Sequence, residues 1–200
     1  MTTSSLPIAV FLSGGGRTLS NLLVQRDERD LPIDIRLVIS SSSKVRGVEI
    51  AQNAGIETIV VRKTNDAEAY SKAMFDPVRQ SGAKYVVMAG FLKHVLIPRD
   101  FDRRVINIHP SLLPDFGGEG MYGHHVHKAV LEKGESVSGC TVHFVDNVYD
   151  NGPMILQKQC DVLPGDTVDD LANRVFEREC VALPEAIRKL WEQENAGNKG

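Results

Sequence analysis

Residues 7–18 read PIAVFLSGGGRT. The apolar run from Pro7 to Leu12 stops at Ser13 and three consecutive glycines, and a helix-like stretch follows from Thr18 to about Gln25. This is a strand, a glycine turn and a helix. The same alternation recurs outward along the chain, with strands expected at 33–39, 57–61 and 84–88 and helices near 45–54 and 66–80. Strands without a clean two-residue period suit a sheet buried on both faces, and helical crossovers of this length imply parallel pairing. The expected fold class is α/β: a doubly wound, mostly parallel sheet flanked by helices, with a Rossmann-type N-terminal half. A further apolar strand, Val105 to Ile108, runs into His109, Pro110 and Ser111. Its carboxyl end carries the polar residues, and that end is where ligands bind in open α/β sheets.

The second half opens with DFGGEGMYG at 115–123, whose four glycines make it flexible or tightly turned. A helix around 126–132 follows, then strands at 139–145 and 153–159 joined by DNVYDNG, which suits a turn. Thr167 and Asp170 fit a loose capping box for a last helix reaching about Glu194, kinked at Pro184, with a frayed tail from Asn195 to Gly200. No repeat or Pro-rich linker interrupts the 200 residues, so one domain is expected, with halves at about 7–108 and 109–194.

Composition narrows the function classes. Hydrophobic residues at 42% and charged residues at 24% fit an ordinary soluble domain. No unbroken apolar run approaches the roughly 18 residues of a membrane span, and the N-terminus lacks the basic start of a secretory signal. A cytoplasmic location is expected. With net charge −3 and scattered Lys and Arg, neither a nucleic-acid surface nor a membrane anchor is expected. Cys140, Cys160 and Cys180 are widely spaced without a CxxC motif, which fits reduced structural thiols and no metal site.

Four places could carry chemistry. Bare backbone N–H groups at Gly14, Gly15 and Gly16, leading through Arg17 and Thr18 into a helix, suit a single phosphate. The turn is not a Walker A loop, and it lacks both the GxGxxG spacing and the acidic residue a dinucleotide needs. A plain tight turn is the alternative. Strand alternation sends Asn107 and His109 to one side, setting an amide donor beside an imidazole. Such a pair can stabilise an oxyanion and move a proton, as acyl transfer requires, or can simply end a strand. Asp146 and Asp150, with His143 upstream, offer carboxylates that an Asx turn would also explain. Glu179 interrupts the apolar stripe of Val168, Leu171, Val175 and Leu183, and pairs either with an arginine or with a ligand amine. His124, His125 and His127 lack partnering ligands and are expected to form a solvated helix start rather than a metal site.

Taken in this order, the pieces resemble the phosphoribosylglycinamide formyltransferase family. The resemblance rests on INIHPSLLP at 106–114, VVMAGFL at 86–92, GCTVHFVDNVYDNGPMILQ at 139–157 and the glycine turn. It implies a formyltransferase-like fold, 10-formyltetrahydrofolate as co-substrate, no metal, and small-molecule partners only, with oligomeric state left open. It implies Asn107, His109 and Asp150 as the catalytic trio, with His143 in support. Gly14 to Thr18 would cradle the substrate phosphate and Glu179 would contact the glycinamide end. Phe91, Leu92, Lys93, His94, Val95 and Leu96, together with Asn147, Val148, Tyr149 and Asn151, would border the folate. Arg17-Thr18 replaces the family's usual Ser-Asn, so only backbone contacts to phosphate carry over. Lys93-His94 departs from the usual continuation after Gly90-Phe91, and the loop at 116–125 is longer, a candidate lid. The alternatives are a 10-formyltetrahydrofolate hydrolase and a noncatalytic phosphate-ligand binding protein.

Overall fold

The computed structural model describes residues 5–197. In chain order the elements are β1 (Leu6–Leu12), α1 (Arg17–Glu28), β2 (Ile33–Ser40), α2 (Arg46–Asn53), β3 (Thr58–Val60), α3 (Ala67–Ser81), β4 (Tyr85–Met88), β5 (Val105–His109), α4 (His124–Lys133), β6 (Val137–Phe144), β7 (Met154–Asp161) and α5 (Val168–Gly197). Hydrogen bonding orders the strands β3-β2-β1-β4-β5-β6-β7. β1 runs parallel to β2 and β4, β2 parallel to β3, and only the β6–β7 hairpin is antiparallel among these pairs. This is the mostly parallel α/β sheet that the alternation predicts. The chain divides into two compact units, Met1–Ile106 with Ile187–Gly200, and Asn107–Ala186.

In the first unit the apolar run of β1 has its physical cause. Ile8, Ala9, Val10, Phe11 and Leu12 are all fully buried, so both faces of the strand are covered and no polar alternation is tolerated. Leu19 and Leu22 of α1 and Tyr70, Met74 and Phe75 of α3 are fully buried as well. Phe11 and Phe75 meet edge to face with ring centres 5.7 Å apart. Each such side chain contributes about 1.5–3 kcal/mol on burial. Asp66 caps α3, its carboxylate accepting the Ala69 N–H at 2.9 Å.

The second unit is built on the β6–β7 hairpin, with Leu171, Val175 and Leu183 of α5 buried as the helical stripe requires. The capping box forms: Asp170 accepts the Thr167 N–H at 2.9 Å while Thr167 Oγ1 accepts the Asp170 N–H at 3.2 Å. Three expectations change. α4 starts two residues early, at His124, and its His127 is only 4% exposed, so that histidine packs inside rather than facing solvent. α5 includes Pro184, as expected, but reaches Gly197, so residues 195–197 are helical, with Asn195 Nδ2 donating to the Trp191 carbonyl. The remainder of the expected frayed tail, 198–200, lies outside the described residues. β3 shrinks to three residues.

Cys140 and Cys160 are buried, Cys180 is partly exposed, and none of the three forms a disulfide. Burial, with the Glu179 carboxylate adding to it, pushes the Cys140 thiol up to about 12, so it is no nucleophile near neutrality. Among the described residues no helix is long and apolar enough to cross a membrane.

Candidate active site

The glycine turn is held by main-chain groups and the Ser13 hydroxyl. Ser13 N–H donates to the Gly90 carbonyl at 3.1 Å, Ser13 Oγ accepts the Leu92 N–H at 3.0 Å, and Gly47 N–H donates to the Gly14 carbonyl at 3.1 Å. The three glycines have different reasons to be glycine. Gly16 is left-handed at φ 73°, and a Cβ there would lie 2.6 Å from Gly47 Cα, so the fold itself demands it. Gly14 and Gly15 face open space, with nothing within 4 Å of a built Cβ. No side chain caps the start of α1, and no acidic residue occupies its first turn. Its leading N–H groups therefore present a positive, uncapped end at the turn.

In the second unit the carboxyl end of β5 gathers the polar groups. Asn107 is partly buried and His109 only 3% exposed, both on one side of the strand. His109 Nδ1 lies 3.4 Å from Asp150 Oδ2, and His143 Nε2 lies 3.6 Å from Asp150 Oδ1. Asn107 Nδ2 sits 3.3 Å from His143 Nε2. The outer nitrogens of both rings are tied to backbone: His109 Nε2 donates to the Phe116 carbonyl at 2.8 Å, and His143 Nδ1 to the Phe144 carbonyl at 2.8 Å. A carbonyl only accepts, so each of those nitrogens carries hydrogen and both inner nitrogens turn toward the one carboxylate.

Burial pushes the His109 imidazole below its ordinary value, against the opposing pull of Asp150 and the Phe116 carbonyl. For Asp150, burial opposes the charge, but His143, His109 and the Gly118 N–H outweigh it and hold the carboxyl below the usual range. That N–H donates to Asp150 Oδ2 at 2.9 Å. Phe116 and Asp150 are non-glycine residues in the left-handed region, at φ 56° and 51°. Both deliver a group to His109, and such conformations cost of order 1–3 kcal/mol unless the surroundings enforce them. Gly152 enforces part of it: a Cβ there would collide with the Phe144 carbonyl, so only glycine lets the turn close. Asp146 differs from Asp150. It accepts the Val148 N–H at 2.8 Å and Asn151 Nδ2 at 3.2 Å, which makes it the Asx-turn residue.

The residues expected to border a folate fare unevenly. Leu92 and Lys93 are exposed and His94 partly so, whereas Val95 is only 4% exposed and packs in the core. Phe91 leans on Phe11 with ring centres 5.5 Å apart. The carbonyls of His94 and Leu96 are occupied, accepting from Lys63 Nζ at 2.9 Å and Ser71 Oγ at 2.5 Å. Asn147, Val148, Tyr149 and Asn151 are all exposed. Glu179 is partly buried on α5, near enough to Cys140 to raise its thiol. Among the described residues no group of three or more His, Cys, Asp or Glu side chains could hold a metal ion. Sequence reasoning missed the Phe116 carbonyl on His109, because backbone groups leave no compositional trace.

An amide, an imidazole and a carboxylate thus meet near the carboxyl end of β5 in a mostly parallel sheet of the doubly wound α/β class, an arrangement suited to chemistry at a carbonyl carbon. Comparison narrows the class: the profile of a family described as "Formyl transferase" matches residues 6–187, and the chain belongs to that family. It is 38% identical, over 96% of its length and 63% of the relative's, to "Phosphoribosylglycinamide formyltransferase, chloroplastic" of Vigna unguiculata. It is 34% identical to "Phosphoribosylglycinamide formyltransferase" of Escherichia coli, covering 90% of this chain and 84% of that one. The solved structure of glycinamide ribonucleotide transformylase 1 from Symbiobacterium toebii superposes with a TM-score of 0.88 at 36% identity, covering 94% and 89% of the two chains. The chain thus spans a little under two thirds, 63% and 65%, of the two plant relatives.

Proposed function

We propose that this chain transfers the formyl group of 10-formyltetrahydrofolate to the amine of glycinamide ribonucleotide, a step of purine biosynthesis. The observation that carries the reading is the convergence of Asn107, His109 and Asp150 at the end of β5, supported by relatives named for this reaction.

The substrate amine attacks the formyl carbon, giving a tetrahedral oxyanion. The bond from that carbon to the folate nitrogen then breaks, and the proton released by the amine passes to the departing nitrogen. Asn107 donates to the oxyanion. Burial disfavours charge on the His109 ring before the reaction. A cationic ring becomes favourable as the oxyanion develops nearby, with Asp150 at Nδ1 and the Phe116 carbonyl at Nε2. His109 and Asp150 together take the amine proton and return it, so neither is consumed. The phosphate binds at Gly14 to Thr18 through backbone N–H groups, Glu179 receives the glycinamide amine, and the exposed residues of 91–96 and 147–151 border the folate. His143 supports the trio through Asn107 and Asp150.

The test is to incubate purified protein with 10-formyltetrahydrofolate, with and without glycinamide ribonucleotide. Formylated nucleotide forming in step with loss of the formyl donor supports the reading. Deformylation at the same rate without nucleotide makes the protein a hydrolase instead.

A further inference from the structure

His109 is followed by a segment, 111–115, that has no regular secondary structure of its own beyond turns. A chain ending a strand without a helix or ladder would leave its polar backbone groups unsatisfied. Here they are taken up by two side chains of the β6–β7 hairpin. Thr141 is fully buried, and its hydroxyl donates to the Ser111 carbonyl at 2.7 Å while accepting the Leu113 N–H at 3.0 Å. Gln157, its register partner on β7, spends one amide nitrogen on two acceptors, donating to Thr141 Oγ1 at 2.9 Å and to the Leu113 carbonyl at 2.9 Å.

Neighbouring contacts make this more than a local turn. Ser111 Oγ donates to the Asp115 carbonyl at 2.7 Å, and the next residue, Phe116, places its carbonyl on His109 Nε2. Gly139 on β6 leaves room for Leu112, since a Cβ there would lie 2.8 Å from Leu112 Cδ2. The loop from His109 round to Phe116 therefore returns to the imidazole it started from, pinned midway to the hairpin.

We propose that Thr141 and Gln157 are positioning residues for His109, fixing the 111–115 segment so that the imidazole and the carbonyl that meets it are held in one geometry. Neither touches the reacting atoms. The proposal rests on the formyl-transfer reading for its kinetic consequence, but not for its structural one. A buried hydroxyl serving three backbone and side-chain partners is worth more than one bond, because its loss leaves each partner unsatisfied in a dry site. A displacement of about 1 Å at a reacting group costs on the order of 10²-fold in rate.

The experiment uses the whole chain with Thr141→Val, which keeps the shape and removes the hydroxyl, and Thr141→Ser, which restores it. The first readout is the Nε2–H proton of His109 by NMR, which is buried and hydrogen-bonded and so slow to exchange with water. Thr141→Val should lose or broaden that resonance and Thr141→Ser should keep it, whatever reaction the protein performs. The second is kinetic: Thr141→Val should lower kcat by roughly 10- to 100-fold with KM for the nucleotide nearly unchanged, and Thr141→Ser should recover most of it. Gln157→Met, which removes both donations from a partly exposed strand position, gives the same answer if Thr141→Val does not fold. An unchanged His109 resonance in the folded variants overturns the proposal. So does equal damage by Val and Ser, which would mean only packing. Should wild-type protein transfer no formyl group, the resonance still decides the positioning claim while the functional reading falls separately.

Discussion

The glycine turn and the end of β5 are made in opposite ways. At the turn, backbone does most of the work: Gly14 and Gly15 stand open, no side chain caps α1, and the turn is held by main-chain N–H and carbonyl groups with the Ser13 hydroxyl. At β5 the site is made of side chains, nearly dry, with one carboxylate facing two imidazoles whose outer nitrogens are fixed by carbonyls. The contrast teaches where each kind of function is vulnerable. A site of backbone dipoles loses binding when something fills it, and a site of coupled charges loses rate when any member changes.

The sharpest way to break that contrast is at the trio. Asn107→Ala should lower turnover by about 10²- to 10³-fold, the range for a preorganised oxyanion donor, while nucleotide binding measured by calorimetry stays nearly intact. Asp150→Asn keeps the shape and removes the charge that stabilises a cationic His109. Because the residues act as a unit, His109→Ala combined with Asp150→Asn should cost far less than the product of the single losses. Losses that multiply independently, or that fall on affinity alone, would put the chemistry elsewhere.

The turn offers a smaller effect of the other kind. Gly15→Val adds a side chain into open space at an unstrained position, so the fold should survive, as a thermal melt will show. Nucleotide affinity should drop roughly 10- to 100-fold if charge-assisted N–H bonds to a phosphate are displaced, with folate affinity unchanged. Equal loss of both ligands would remove the assignment. Gly16→Val is the wrong probe, because its Cβ would strike Gly47 and disturb the packing of α2.

The smallest effect concerns stability. Burial, helped by His124 and His109, lowers His127 from 6.5 to about 4, and its Nδ1 has no hydrogen-bond partner. The unfolded chain thus takes up a proton first as pH falls below 6.5, and folding stability should decline from there toward about 4. His127→Leu removes the titrating group and should flatten that part of a melting-temperature profile. A profile equally steep in the variant would mean that other groups, Asp150 among them, carry the acid lability.

Much of this protein is determined by its sequence alone, because the signals are local. An apolar run stopping at three glycines is a strand and a turn in any context, so β1 is legible before its burial is known, and Thr167 with Asp170 caps a helix from four residues of chain. Asn107 and His109 share a side because strand geometry alternates. Other features were decided only by tertiary structure. His127 reads as one of three solvated histidines, and only the packing of α4 shows it to be buried. Val95 stands among expected ligand contacts and turns to the core. Gly16 looks like its two neighbours until α2 comes within 2.6 Å of its missing Cβ. Asp146 and Asp150 are equivalent on paper, yet one ties an Asx turn and the other meets two imidazoles, because a shift in register between Val142 and His143 and the close approach at Gly152 aim that loop. Local periodicity records which way a residue faces along its own element. It holds no record of which distant residue arrives opposite, since that depends on register, bulges and backbone approach that many sequences satisfy differently.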